Sequence, residues 1–261
     1  MITSKEIEHN YIEIGFNKCN MNIFKCFILS ILAGMFIAFG ALSSSVASCT
    51  IENPSVAKLI QSIVFPAGLS MVVLFGAELF TGDCLITISV LERKTNLLKF
   101  IRTLIIVYIG NLVGSLIVAA FSVYGHTMSV FAGALAQNIV SIASNKCEIS
   151  FGDAILRGIL CNVLVCLAVW MTMTTKSVAG KIAALFFPIM VFVISGFEHS
   201  VANMFYIPAA IMTSKQYHIS ADELNWYNFF ITNELPVTIG NLIGGIALSF
   251  ALWFTQRQKT K

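Results

Sequence analysis

Six apolar stretches leave this chain of 261 residues few ways to fold. They cover about residues 24–47, 57–91, 100–124, 153–173, 181–213 and 229–254. Each is long enough, whole or in two pieces, for the roughly 20 helical residues that cross about 30 Å of hydrocarbon. With 57% apolar and only 11% charged residues, there is too little polar surface to coat a soluble globule. The expectation is an all-α membrane protein with six transmembrane helices.

Spans two and five are too long for one straight crossing, and each carries an acid near its middle, Glu78 and Glu198. Glu198 is followed by His199 inside a run, Phe192 to Phe205, that is otherwise apolar or small. Insertion scales put the cost of Asp, Lys or Arg at membrane depth at about 2.5–3.5 kcal/mol, so ionisable residues there usually face a polar interior and mark an ion or proton path. Two readings of His199 stay open on this ground: a donor in a pore, or a cap on the second half of a broken span five that bonds backbone only.

The two halves of the chain resemble each other in order. Ile31-Leu32-Ala33-Gly34-Met35 matches Ile155-Leu156-Arg157-Gly158-Ile159, Gly76-Ala77-Glu78 matches Gly196-Phe197-Glu198, and Ile109-Gly110-Asn111-Leu112-Val113-Gly114 matches Ile239-Gly240-Asn241-Leu242-Ile243-Gly244. Three spans per half is an odd number, so the halves insert in opposite senses, as inverted repeats over residues 24–124 and 153–254. Spans two and five, with Pro66 and Pro188 and their Gly-x-Glu elements, are the interrupted pair. Non-helical backbone survives at this depth only inside protein or along a cavity, so the breaks are expected to meet at a central pore in an aquaporin-like bundle. Asn111 and Asn241 are expected to bond exposed backbone there, and Glu78 and Glu198 to bond backbone N–H groups of the opposing breaks. The glycine pairs let helices approach closely.

Residues 1–22 hold Lys5, Glu6, Glu8, Glu13 and Lys18 among scattered apolar positions. They read as an amphipathic helix on the membrane surface, not as a cleavable signal. Sorting Lys and Arg by loop puts 12 on the side of both termini, among them Lys5, Arg93, Lys176, Arg257, Lys259 and Lys261, and four (Lys58, Lys146, Arg157, Lys215) on the other. Both termini are therefore expected in the cytoplasm. The net charge of +3 follows from that asymmetry and gives no sign of nucleic-acid binding. The seven cysteines form no CxxC pair, and no HExxH, GxSxG or phosphate-loop motif is present. No metal, cofactor or enzymatic chemistry is expected.

Gly76-Ala77-Glu78-Leu79-Phe80-Thr81-Gly82, Gly158-Ile159-Leu160-Cys161-Asn162, Gly196-Phe197-Glu198-His199-Ser200-Val201-Ala202-Asn203-Met204 and Pro236-Val237-Thr238-Ile239-Gly240-Asn241 resemble the formate/nitrite transporter family across all six spans. Within it the chain looks closest to the hydrosulfide channels of anaerobic bacteria. The resemblance implies one domain over residues 1–261, a homopentamer in the bacterial inner membrane with a pore in each protomer, and passage of formate, nitrite or hydrosulfide. By the same resemblance His199 is the central histidine and Thr81 the threonine facing it. Phe65, Leu69, Leu79, Phe80, Val165 and Phe192 are the apolar constrictions, with Lys146 in the outer and Lys18 in the inner vestibule. Gly82-Asp83-Cys84-Leu85 departs from the family pattern by adding an acid; a pore-facing carboxylate would oppose anions, so Asp83 is expected to bond loop backbone.

An anion entering an apolar constriction loses hydration worth several kcal/mol, so apolar rings alone exclude it. The His199 imidazole can donate a hydrogen bond, a charge or a proton, letting the solute pass as anion or conjugate weak acid. The best reading is a hydrosulfide channel, with a formate or nitrite channel or proton-coupled transporter as the alternative. An aquaglyceroporin-like neutral-solute pore ranks below both, because Asn-Pro-Ala is absent from both breaks.

Overall fold

The computed structural model describes residues 4–256, and all regular structure among them is helical. The cations of the C-terminal tail, Arg257, Lys259 and Lys261, lie outside the described residues, as does the side chain of Lys5. Ser4–Cys19 forms α1. Asn22 then caps Ile23–Ser48 (α2) by accepting the N–H groups of Phe24 and Lys25. Asn53 caps Pro54–Val64 (α3) in the same way, and the rod runs on through Phe65 into Pro66–Phe75 (α4).

The rod ends at Gly76, not at Pro66. Gly76 has φ +78°, a left-handed conformation that glycine adopts without a Cβ penalty. Helix resumes in the short Phe80–Asp83 (α5) and Thr87–Leu91 (α6). Leu97–Tyr124 (α7), Ala134–Cys147 (α8) and Phe151–Thr172 (α9) follow. Val178–Ile194 (α10) gives way to Gly196 at φ +69°, and Ser200–Gln216 (α11) begins after His199. A π-helical turn, Asn228–Glu234, leads into Leu235–Gln256 (α12).

Among the described residues, five helices are long and apolar enough to cross a membrane: Ile23–Ser48, Pro54–Phe75, Leu97–Tyr124, Phe151–Thr172 and Asn228–Gln256. Val178–Ile194 is apolar but shorter. The outward faces are apolar as well: Leu98 is 79% and Phe121 76% exposed, as suits helices that meet lipid or other apolar helices rather than water.

Two close helix crossings carry the bundle, α2 on α7 and α9 on α12. A Cβ on Gly114 would strike the Ile31 carbonyl, and one on Gly244 the Ile159 carbonyl. Small residues are what let the backbones come this near. The crossings also correct the register of the first sequence match. Asn111 Nδ2 donates to Ser30 O at 2.7 Å and Asn241 Nδ2 to Gly158 O at 2.8 Å, so Ser30 corresponds to Gly158 and Ile31 to Ile159. The sequence match of Gly34 with Gly158 is off by one helical turn. A shift of four residues returns nearly the same face of a 3.6-residue helix, so apolar pattern alone cannot detect it.

Candidate functional site: a row of cavities between two lysines

The two non-helical segments are wired alike. Asn111 Oδ1 accepts the Phe80 N–H at 2.9 Å while its amide donates to the Glu78 carbonyl at 3.0 Å. Asn241 Oδ1 accepts the Ser200 N–H at 2.9 Å and donates to the Glu198 carbonyl at 2.9 Å. The backbone N–H of Glu78 reaches Leu29 O at 3.3 Å and that of Glu198 reaches Arg157 O at 3.4 Å. Each buried asparagine thus satisfies backbone groups that a continuous helix would have paired internally.

The wiring holds His199 at the start of α11. Its Nδ1 accepts the Ala202 N–H at 3.1 Å, and its Nε2 lies 2.9 Å from Thr81 Oγ1. A nitrogen that accepts an N–H carries no proton, so the neutral ring is protonated on Nε2 and donates to Thr81. The cap and the contact across the break therefore coexist, and the two sequence readings of His199 are not exclusive. Protonating the ring would set N–H against N–H at Ala202, so the cap favours the neutral form.

Three cavities line up past this pair. The first, about 80 Å³, is lined by Lys58, Lys146, Phe65, Phe192, His199 and Tyr206 among others. The second, about 10 Å³, lies among Phe65, Leu69, Leu79, Val165, Phe192 and His199. The third, about 280 Å³, opens between Leu69, Leu79, Tyr11, Lys18, Glu78 and Asp83. Neighbouring cavities share walls: Phe65, Phe192 and His199 on one side, Leu69 and Leu79 on the other. Phe65 and Phe192 meet edge to face at 5.5 Å, and Phe192 stacks on the His199 ring at 5.9 Å. Phe80 and Thr81 line none of the three. Thr81 reaches them only through His199, and the Phe80 ring packs on Tyr108 at 5.0 Å, because the residue before Thr81 in α5 points away from the side facing His199.

Each end of the row carries a lysine paired with an acid. Lys146 Nζ lies 2.9 Å from both Glu198 carboxylate oxygens. Lys18 Nζ lies 2.7 Å from Glu78 Oε2 and 2.6 Å from Asp83 Oδ1. The expectation that Glu78 and Glu198 bond backbone N–H groups is thus overturned, as is that of loop backbone for Asp83. The asparagines already occupy the backbone donors, and a buried carboxylate is far better stabilised by an ammonium. Burial works against the Lys18 charge, but Asp83 and Glu78 outweigh it and hold its pKa well above the ordinary lysine value.

Several participants escaped the sequence reading. Asn203 Nδ2 donates to Glu198 Oε2 at 2.8 Å and to Asn233 Oδ1 at 2.7 Å; Lys58, Tyr206 and Tyr11 line the outer cavities. One signal was available. Lys18-Cys19 and Lys146-Cys147 close α1 and α8 at the same spacing as Ser30 and Gly158, which marks both lysines as members of the repeat.

An all-helical membrane bundle threaded by such a row is a channel or transporter and not an enzyme. Residues 5–255 match the family described as formate/nitrite transporter, and the chain belongs to that family of anion channels. It is 38% identical over 258 residues to "Uncharacterized transporter YrhG" of Bacillus subtilis (strain 168), covering 97% of this chain and 93% of that one. It is 36% identical over 261 residues to "Formate channel FocA" of Haemophilus influenzae, covering 94% and 89%. A solved structure described as "Pentameric formate channel with formate bound" superposes with a TM-score of 0.80 at 33% identity, covering 89% of this chain and 96% of that chain. None of the three is named for hydrosulfide, so the expected placement in the hydrosulfide branch gains no support from them.

Proposed function

We propose that the chain is a channel for small monovalent anions that have a conjugate weak acid, with formate the first substrate to test. The observation that carries this reading is the row of cavities between Lys146 and Lys18, pinched to about 10 Å³ beside His199. The two relatives above that are named as formate channels support formate; hydrosulfide rests on the sequence resemblance alone, and nitrite on the family.

In this reading the chain crosses the bacterial inner membrane six times as one domain, in two inverted three-helix units with spans two and five interrupted. Both termini are cytoplasmic, and five protomers assemble, each with its own pore. The solved pentameric relative supports the assembly.

Lys18 and Lys146 are each paired with a carboxylate, which offsets the positive charge either one offers, while Lys58 stands beside Lys146 in the wall of the first cavity. An anion would be drawn in weakly and then meet the apolar walls of Phe65, Leu69, Leu79, Val165 and Phe192. It crosses that wall best as the neutral acid, having taken a proton in the vestibule. His199 Nε2–H holds the Thr81 oxygen, leaving the Thr81 hydroxyl proton to donate to the solute. The pair thus replaces one hydrogen bond of the lost hydration without placing a fixed charge in the constriction.

The test is competitive uptake of formate, nitrite and hydrosulfide into proteoliposomes at several pH values. Saturable formate uptake that rises on acidification supports the reading. Swelling in glycerol without anion uptake would replace it with a neutral-solute pore.

A further inference from the structure

The ion-paired clusters at the two ends of the row are built from corresponding residues, with one exception. Lys18 corresponds to Lys146 by the same spacing that relates Ser30 to Gly158, and Glu78 corresponds to Glu198 by the spacing that relates Phe80 to Ser200. Five residues after each glutamate stand Asp83 and Asn203. At the α8 end a lysine, a glutamate and an asparagine meet, and the asparagine amide donates to the glutamate at 2.8 Å. At the α1 end a lysine meets two carboxylates.

An ionised Asp83 can only accept, so it cannot make the bond to Glu78 that Asn203 makes to Glu198. Two carboxylates then share one ammonium, one negative charge is in excess, and Asp83 Oδ2 is left buried without a partner, in a residue only 1% exposed. A proton on Asp83 removes the excess charge and restores a donor where the other end has an amide. Like-charged carboxylates sharing one site favour binding of a proton between them.

Among the described residues, no other group near Asp83 can balance that charge. α1 contributes Lys18 and Tyr11, the segment before α5 contributes Glu78, and α2 and α9 contribute the thiols of Cys26 and Cys166, with Cys84 adjacent. Arg102 of α7 is engaged by the Cys19 carbonyl at 2.7 Å, and α12 carries no titratable residue between Leu235 and Gln256.

We propose that Asp83 is a proton-binding site present only at the α1-side mouth of the pore, and that its ionised form opposes anion passage there. The effect on flux rests on the channel reading above; the proton site itself does not. Acid on the α1 side neutralises the mouth and admits the anion to the third cavity. The same acid on the α8 side finds Asn203 at the corresponding position, and an amide does not titrate.

Infrared difference spectra of the purified protein, titrated from alkaline to acidic pH, test the proton site without any substrate. The wild type should gain a protonated-carboxyl C=O band that Asp83→Asn lacks. Identical spectra for the two proteins overturn the proposal.

The consequence for flux is read with labelled formate in right-side-out and inverted membrane vesicles, a protease-accessible N-terminal tag reporting which face bears α1. Comparing Asp83→Asn with wild type at each pH cancels the protonation of formate itself. The flux ratio should rise on the order of tenfold as the α1 side is made alkaline, the factor for one unit charge about 10 Å away at an effective dielectric of about 20. It should stay flat when only the opposite side is changed. A ratio independent of α1-side pH overturns the gating half of the proposal. Absence of formate flux in both proteins, with the infrared band present, would instead fault the substrate reading and leave the proton site standing.

Discussion

His199 and Thr81, 118 residues apart in sequence, meet at 2.9 Å between Nε2 and Oγ1. The contact joins the starts of the two helices that follow the non-helical segments. Because Nδ1 is committed to the Ala202 N–H, the direction of the bond is decided: histidine donates and threonine accepts.

Capping and permeation at His199 are separable by substitution. His199→Asn keeps a good N-cap but is too short to reach Thr81, so stability should fall by only about 1–3 kcal/mol, the cost of an unpaired buried hydroxyl, while formate uptake falls sharply. His199→Ala should lose the cap as well, lowering stability by a further ~1 kcal/mol. Thermal denaturation in detergent and proteoliposome uptake read the two effects. Wild-type uptake by the asparagine variant would remove His199 from the pathway.

Thr81→Val removes the hydroxyl at nearly constant volume and leaves the Nε2–H without a partner. A buried unsatisfied donor costs about 1–3 kcal/mol, so the melting temperature and the flux should both drop. Thr81→Ser should retain both. A valine variant that behaves as wild type beside an impaired serine variant would show that the methyl group, not the hydroxyl, matters.

Phe65 packs on Phe192 at 5.5 Å and walls two of the cavities. Phe65→Ala should join those cavities, raise uptake and relax discrimination against larger acids such as lactate. Core Phe→Ala changes cost about 3–5 kcal/mol, and less is expected here because one side of the ring faces space. Unchanged conductance and selectivity would assign Phe65 to packing alone.

Asn111→Leu and Asn241→Leu should be equally damaging. Each removes three buried hydrogen bonds, of 2.7 to 3.0 Å for Asn111 and 2.8 to 2.9 Å for Asn241. At about 1–3 kcal/mol for each buried group left unpaired, the yield of monodisperse protein on size exclusion should collapse for both. Tolerance of one but not the other would show that the two segments are not supported in equivalent ways.

Lys146→Met strands Glu198, whose carboxylate would keep only the Asn203 amide. Breaking a buried pair from one side costs about 3–5 kcal/mol. Adding Glu198→Gln to the same chain should recover most of the lost stability in thermal melts. No recovery in the double variant would mean that Lys146 is needed for packing rather than for charge.

Much of this was legible in the chain. The apolar stretches announced membrane helices because hydrocarbon thickness sets a length, and Gly76 and Gly196 announced interruptions because they stand beside acids inside such stretches. The near-identity around Asn111 and Asn241 announced a repeat. The one-turn slip that matched Gly34 instead of Ser30 with Gly158 was not legible in the apolar pattern, since helices read almost the same after four residues. Nor was the Phe80 orientation, because a four-residue helix has too little periodicity to reveal its buried face.

The sequence by itself determined which segments are apolar enough to suit a membrane, where glycines interrupt the helices, and which family the chain belongs to. These are properties of local composition and spacing. The partners of the ionisable groups were decided only in three dimensions. Glu78 and Glu198 could have bonded backbone, but Asn111 and Asn241 reach those donors first, which leaves each carboxylate to a lysine from a distant helix. Asp83 stands out for the same reason: beside Lys18 and Glu78 it is a third charge where the opposite end has an amide, an imbalance that exists only once α1 folds against the turn and helix that follow Asp83.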